Sequence, residues 1–172
     1  AGADGDDGAT GATGAAGADG ADGAAGTYGA VQLSRTSNLS TSGSYANVTF
    51  TTTNIETNTS LLSASGSTGI EVEVDGLIEV TFQCICDPPN DDEVVFGARI
   101  RRNGSDATAG IITQNMYLGA SDKEDWSMIH RTILLVCSAG DVLTVQVRDQ
   151  SGGSIQLKGN SIIFIAKYLG AT

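Results

Sequence analysis

The densest group of potential metal ligands in this sequence is an acidic loop at residues 87–93, DPPNDDE. Its two prolines and its polarity predict a loop. Four carboxylates with Asn90 beside them supply the hard oxygen atoms that Ca²⁺ prefers. These are Asp87, Asp91, Asp92 and Glu93. Because their spacing does not follow the 12-residue calcium-loop pattern, we favour a solvated acidic loop and no cofactor, with calcium left as an unassigned alternative.

Three cysteines could bind a soft metal or form a disulfide. Cys84 and Cys86 are two residues apart in an apolar alternation, which predicts that both point into a core. An odd count without a regular framework, with Cys137 far along the chain, does not indicate a disulfide-stapled domain. The only histidine, His130, is not a companion to them by spacing. We expect three buried free thiols and no metal site.

No group of residues matches a catalytic signature. His130 has no Ser or Cys nucleophile and carboxylate in a known arrangement, so we expect a structural or exposed histidine. The carboxylates of Asp122 and Asp125, close to Trp126, leave a glycan hydrolase open, since that chemistry needs two carboxylates in a cleft. We favour a protein that is not an enzyme, with no catalytic, cofactor-binding or metal-binding residues.

Two groups of residues are suited to a receptor. Trp126, the only tryptophan, lies beside acids in a charged loop and could stack on a sugar. Arg99, Arg101 and Arg102 form the only dense basic group and could contact an anionic glycan. A packing Trp and a solvated or ion-paired strand face are the structural alternatives. We take Trp126, Arg101 and Arg102 as the predicted receptor-facing residues.

A strict three-residue glycine period precedes all of these residues. Glycine occupies Gly2, Gly5, Gly8, Gly11, Gly14, Gly17, Gly20, Gly23, Gly26 and Gly29. This period is typical of a collagen-like helix, in which three chains wind together and only glycine fits at the crowded axis. A flexible linker would need no such phase. The period predicts a stem at residues 1–29 that spans roughly 85–90 Å.

The stem is not expected to hold itself together. It contains no proline, which normally lowers the entropy cost of a collagen helix. Five aspartates per chain, with no cation, would also repel one another in a trimer. The stem therefore depends on a trimeric head, and an isolated peptide of residues 1–29 should form no stable triple helix. Triplets without proline also favour a bacterial or phage source.

The side chains discussed above must be positioned by roughly 140 residues of ordinary globular sequence, the usual size of one domain. Alternating apolar residues predict strands within residues 30–33, 45–52, 70–86, 94–101, 127–137 and 142–148. Asn103-Gly104 is a strong hairpin signal. Residues 161–169 are apolar at nearly every position, which predicts a strand buried on both faces, the second against other subunits. We divide the chain into the stem, a neck with the first head strands at 30–67, and the remaining head at 68–172.

The signals after residue 68 resemble the globular heads of the tumour-necrosis-factor and complement collagen-head superfamily. They are the strand at residues 76–80, the hairpin at 100–104, the turn region at 134–142 and the aliphatic last strand at 161–169. The resemblance implies an all-β jelly-roll sandwich that assembles as a compact homotrimer, with no catalytic residues to transfer. A collagen-like stem directly before such a head also occurs in phage or viral fibres and in spore exosporium glycoproteins.

The formal net charge of −11 argues against nucleic acid and against an anionic membrane surface as partners. No apolar stretch has the length of a membrane span, so we expect no membrane insertion. We favour a homotrimeric virion fibre, spike or decoration protein at the virion surface. It would be anchored through its N-terminal side, with a host glycan or protein bound at the head. The alternatives are a bacterial surface or spore filament and a secreted ligand.

Overall fold

The computed structural model of the chain describes residues 1–9, 11–14, 27–87, 94–116, 127–150 and 155–172. Residues 1–9 and 11–14 form neither helix nor strand and are exposed. Gly17, Gly20, Gly23 and Gly26 lie outside the described residues, so the collagen-like stem stays a prediction. The last glycine of the period, Gly29, is the first residue of a strand and is buried.

Thirteen strands lie in the described residues, where no helix occurs. They are β1 (Gly29–Arg35), β2 (Leu39–Ser40), β3 (Ala46–Asn47), β4 (Thr52–Thr57), β5 (Leu62–Ser65), β6 (Gly69–Val72), β7 (Gly76–Asp87), β8 (Val94–Arg102), β9 (Ser105–Met116), β10 (Ser127–Cys137), β11 (Val142–Asp149), β12 (Gln156–Leu157) and β13 (Ile162–Gly170). The expectation of an all-β head is confirmed.

The strands form two antiparallel sheets. Sheet I has the order β2-β12-β7-β13-β1-β4, and β10 pairs along the opposite edge of β7 from β13. Sheet II has the order β5-β6-β11-β8-β9, with β3 also paired to β11. The first strand, β1, lies between β13 and β4, so the chain segments nearest both termini of the head share one sheet.

The core lies between the sheets and follows the alternation of the strands. Every second residue of β7 is buried, from Ile78 to Cys86, as expected from the sequence. The same parity buries Phe164 and Ala166 on β13, and Phe164 stacks on Phe50 with ring centroids 5.8 Å apart. β11 supplies the opposing layer from sheet II. Burial of these side chains is the main stabilising term of the sandwich.

Two turns between strands lie at Asn and Gly residues that adopt positive φ angles. Asn103 and Gly104 join β8 to β9 with φ angles of 50° and 75°, the positive values that a two-residue hairpin of this type requires. Gly140, at φ 85°, makes the turn between β10 and β11. Between β6 and β7 the chain bends at Val74 and Asp75 and does not form a hairpin, because β6 lies in sheet II and β7 in sheet I.

The region 45–52 differs from the expected strand. Only Ala46 and Asn47 pair as β3, although Val48 and Phe50 are buried. Here the chain crosses between the sheets: the Val48 amide donates to Val145 of sheet II, whereas the Thr51 amide donates to Ser34 of sheet I. A segment that changes sheets keeps alternating burial without a continuous ladder.

Candidate functional site

The surface of sheet I that faces away from sheet II is the most apolar exposed surface of the described chain. We call it the outer face of sheet I. Pairing registers place on it every second residue of its central strands: Leu77, Glu79 and Thr81 of β7, Leu134 and Val136 of β10, and Ile163, Ile165 and Lys167 of β13. Ile163 and Ile165 are half-buried in a single chain. The second face of β13 is therefore partly open to solvent.

The exposed large apolar side chains of the described residues gather on this side of the molecule. They are Tyr28, Ile55, Met128, Leu134, Val136 and Leu169, with exposures from 45% (Ile55) to 67% (Met128). Tyr28, Leu134, Val136 and Leu169 lie at the end of sheet I where β1 begins and β13 finishes. A cluster of this kind indicates a surface for association.

An ion pair and a hydroxyl pair cross the same face. Nζ of Lys167 donates to Oε1 of Glu79 at 2.7 Å, between β13 and β7. This hydrogen bond, and then the negative charge of Glu79, raise the pKa of Lys167. The hydroxyls of Thr81 and Thr132 lie 2.8 Å apart between β7 and β10. Polar side chains at the centre of the face are thus paired with one another.

A groove of about 300 Å³ adjoins this face at the seam between the β8–β9 hairpin and β10. Its walls include Arg102, Asp106, Leu134 and Val136. Nη1 of Arg102 donates to the carbonyl oxygen of Val136 at 2.7 Å, which ties the hairpin of sheet II to the edge of sheet I.

The structure separates Arg101 and Arg102, which the sequence placed in one receptor-facing group. Arg101 lies on the outer surface of sheet II, and its Nε is 3.2 Å from Oδ1 of Asp106. Arg102 turns the other way toward β10, with 47% of its side chain exposed and its Nε 3.9 Å from Oδ2 of Asp141. Trp126, Asp122 and Asp125 lie outside the described residues, and their predicted roles stay predictions.

Sheet II carries a group that the sequence did not reveal. The guanidinium carbons of Arg99 and Arg148 lie 4.0 and 4.4 Å from the centroid of the Tyr45 ring. The three residues are far apart along the chain and come together because β11 pairs with β8 and also with β3, which directly follows Tyr45. Two signals were present in the sequence: the place of Arg99 in the basic group at residues 99–102, and the parity of Arg148 in the alternating run at residues 142–148.

The cysteines are free and buried, as expected. Sγ of Cys84 lies 3.8 Å from Sγ of Cys86. The hydrogen bond with Cys86 and then burial raise the pKa of Cys84. Burial and then the charge of Asp141 raise the pKa of Cys137.

The acidic loop is described only at Asp87, which forms an ion pair with Lys158. Within the described ranges, no three or more His, Cys, Asp and Glu side chains are grouped so that they could hold a metal ion. The described residues also include no helix with the length and apolarity of a membrane span.

Comparison with protein-family models and with curated protein sequences found no match. Solved structures do match. The chain is similar to the Eiger TNF of S. frugiperda, with a TM-score of 0.59 and 12% identity over 84% of this chain and 94% of that one. It is also similar to murine APRIL at pH 5.0, with a TM-score of 0.57 and 12% identity over 83% of this chain and 100% of that one.

A third similar structure is the globular domain of zebrafish complement 1qA protein, with a TM-score of 0.53 and 12% identity over 84% of this chain and 99% of that one. The head has the jelly-roll fold of these proteins. The resemblance drawn from the sequence is therefore confirmed at the level of the fold. At 12% identity the comparison concerns the fold alone.

Proposed function

We propose that three copies of this chain associate through the outer face of sheet I to form one head on a three-chain stem. The assembly is a virion fibre, spike or decoration protein, in which the stem is a spacer and the head attaches to a host surface. The protein has a structural role and binds a host surface, and it catalyses no reaction.

The observation that carries this proposal is the position of Gly29. It is the tenth glycine of the three-residue period and also the first residue of β1. No linker separates the two parts, so chains that wind together up to this residue bring their heads together at the same point. The apolar cluster of Tyr28, Leu134, Val136 and Leu169 lies at this end of the head.

The side chains on the outer face of sheet I favour self-association. Its exposed apolar side chains would leave water on contact with a second copy, at about 25 cal/mol per Å² of apolar surface buried. Its central polar groups are already paired as Glu79–Lys167 and Thr81–Thr132, which lowers the cost of removing them from water.

The virion setting is supported by the stem sequence, whose triplets contain no proline. A bacterial or spore-surface filament has the same support and remains the first alternative. A secreted ligand is favoured by a different observation, the similarity of the head to Eiger TNF and to the complement 1qA globular domain.

Sedimentation velocity of the full chain tests the assembly. We expect one species with the mass of three 17.5 kDa chains at micromolar concentration, and electron microscopy should show a rod with one terminal knob. A monomeric head would overturn the architecture. Immunogold labelling with an antibody to the head separates the settings: label on virions supports the proposal, whereas label on cells, spores or only in the medium supports an alternative.

A further inference from the structure

Two guanidinium groups share one aromatic ring on the outer surface of sheet II. Cζ of Arg99 is 4.0 Å and Cζ of Arg148 is 4.4 Å from the Tyr45 ring centroid. A tyrosine ring attracts each cation. The two positive charges nevertheless repel each other, because their separation cannot exceed the sum of these distances, which is comparable to a Debye length of about 8 Å at physiological salt.

Arg99 is held by neighbours that use most of its donors. Its Nε and Nη2 donate to Oε1 of Gln146 at 2.9 and 2.6 Å, and its Nη1 donates to Oδ2 of Asp106 at 3.0 Å. The amide of Gln146 in turn donates to Oδ1 of Asn47 at 2.9 Å. Arg99 is thus held in place beside the Tyr45 ring.

The Arg148 side chain also contacts the Tyr45 ring, but it makes no hydrogen bond or ion pair with any described residue. Its Nε is buried without an acceptor among the residues that the structure describes. The side chain passes directly over Gly97, where a Cβ would lie 3.2 Å from Cγ and 3.3 Å from Nε of Arg148. A guanidinium has five N–H donors, and leaving a desolvated donor without an acceptor is costly.

Three arginines, Arg99, Arg101 and Arg148, lie on this surface of a chain whose formal net charge is −11. Among the described residues, Asp106 is the carboxylate within ion-pair distance of Arg99 and Arg101, and none is that close to Arg148. An oxyanion at the Nη atoms of Arg148, which bond no described residue, would accept hydrogen bonds from them and reduce the repulsion between the two guanidinium groups.

We infer that Arg148, with Arg99 and Tyr45, forms a binding site for the carboxylate or sulfate group of an acidic glycan. A guanidinium binds such a group through two parallel hydrogen bonds. The exposed amide of Asn47, beside Gln146, is available to a sugar hydroxyl. Nucleic acid fits less well, because its dense phosphates would meet the acidic surface of the rest of the chain.

The biological meaning of this site depends on the proposed function, in which the head attaches to a host surface. It lies on sheet II, opposite the face assigned to self-association, so it stays accessible in a trimer. The trimer would then present three sites, one on each chain, and a glycan with repeated anionic groups could occupy more than one of them, which raises the effective affinity.

Isothermal titration calorimetry on the full chain, in about 50 mM NaCl where charges are weakly screened, tests the inference. The probes are a heparin-derived oligosaccharide, a hyaluronan oligosaccharide with carboxylates only, a neutral oligosaccharide and single-stranded DNA. We expect at least one acidic glycan to bind and the neutral one not to bind. Arg148→Gln and Tyr45→Leu should each raise its dissociation constant by about tenfold or more.

Arg131→Gln is the matched control, since it removes one exposed arginine from β10 and should change the dissociation constant by less than about twofold. Arg148→Lys keeps the charge and should recover only part of the affinity. The inference is overturned if no acidic glycan binds, if Arg148→Gln binds as the native chain does, if both glutamine variants weaken binding equally, or if DNA binds more tightly. Thermal melts show that the variants are folded, and sedimentation of the same samples tests the trimer separately.

Discussion

Gly29 packs directly against Leu61: a methyl group on Gly29 would lie 3.0 Å from Cβ and 3.1 Å from Cδ1 of Leu61. Leu61 is 7% exposed and belongs to the core of the head. The last glycine of the period is thus required by the packing of the head as well as by the predicted stem.

Gly29→Ala should therefore destabilise the head. The added methyl group must displace Leu61 or strain β1, and overpacking of this kind costs about 1–3 kcal/mol. Urea unfolding followed by circular dichroism measures the change. Gly14→Ala is the control, because a Cβ there meets nothing within 4 Å and should leave the unfolding of the head unchanged. Equal stability of both variants would show that Leu61 adapts without cost.

Leu134→Glu should separate the proposed trimer into monomers. It places a charge in the apolar cluster at the end of sheet I, where removal of that charge from water would be costly. Because Leu134 is exposed in the single chain, the free energy of unfolding of the monomer should change by no more than about 0.5 kcal/mol. Sedimentation velocity gives the readout. Thr144→Glu on sheet II is the matched control and should leave the assembly intact; dissociation of that variant alone would place the interface on sheet II.

The Glu79–Lys167 pair predicts a dependence of stability on alkaline pH. The folded pKa of Lys167 is raised from 10.5, so its stabilising contribution is fully present below about 10.5 and is lost as the pH rises through the raised folded value. In the single chain this pair is partly accessible to solvent, so the contribution is no more than about 1 kcal/mol. Thermal melts of the native chain and of Lys167→Met should differ by a constant amount between pH 7 and 10 and converge above that range. A difference that persists at higher pH would point to the packing of the lysine stem instead.

The three thiols should be unreactive in the native chain near pH 8. The hydrogen bond with Cys86 and then burial raise the pKa of Cys84, and burial raises the pKa of Cys137, so the reactive thiolate is disfavoured at both. A chromogenic thiol reagent should detect all three only after unfolding. Ser44→Cys, at an exposed position, provides a control that should react within seconds. Rapid reaction of the native chain would mean that the core opens near β7.

Sequence patterns predicted the features that depend only on neighbouring residues, namely the burial pattern of a strand and the backbone angles of a turn. Burial of every second residue of β7 follows from the two-residue period of a strand, and Asn103-Gly104 forms a hairpin because these residues tolerate positive φ angles. The strand expected at residues 45–52 was only partly right, because partners on two different sheets, Val145 and Ser34, take the backbone hydrogen bonds there.

The candidate sites depend on pairing between distant segments, which no spacing reveals. Arg101 and Arg102 are adjacent in the sequence but point to different sides, since neighbouring residues of a strand alternate. Tyr45, Arg99 and Arg148 are far apart in sequence yet share one ring contact through the registers of β3, β8 and β11. The outer face of sheet I likewise becomes visible only when the order of β10, β7, β13 and β1 is known.

The location of β1 has a mechanical consequence. A pull on the residues that precede Gly29 acts along β1, which is bonded to β13 on one side and to β4 on the other. Tension in this direction loads the ladder in shear, so many hydrogen bonds share the force at once and cannot open one after another. The residue at which the glycine period ends is thus also the point at which the head resists a pull on its N-terminal segment through many hydrogen bonds at once.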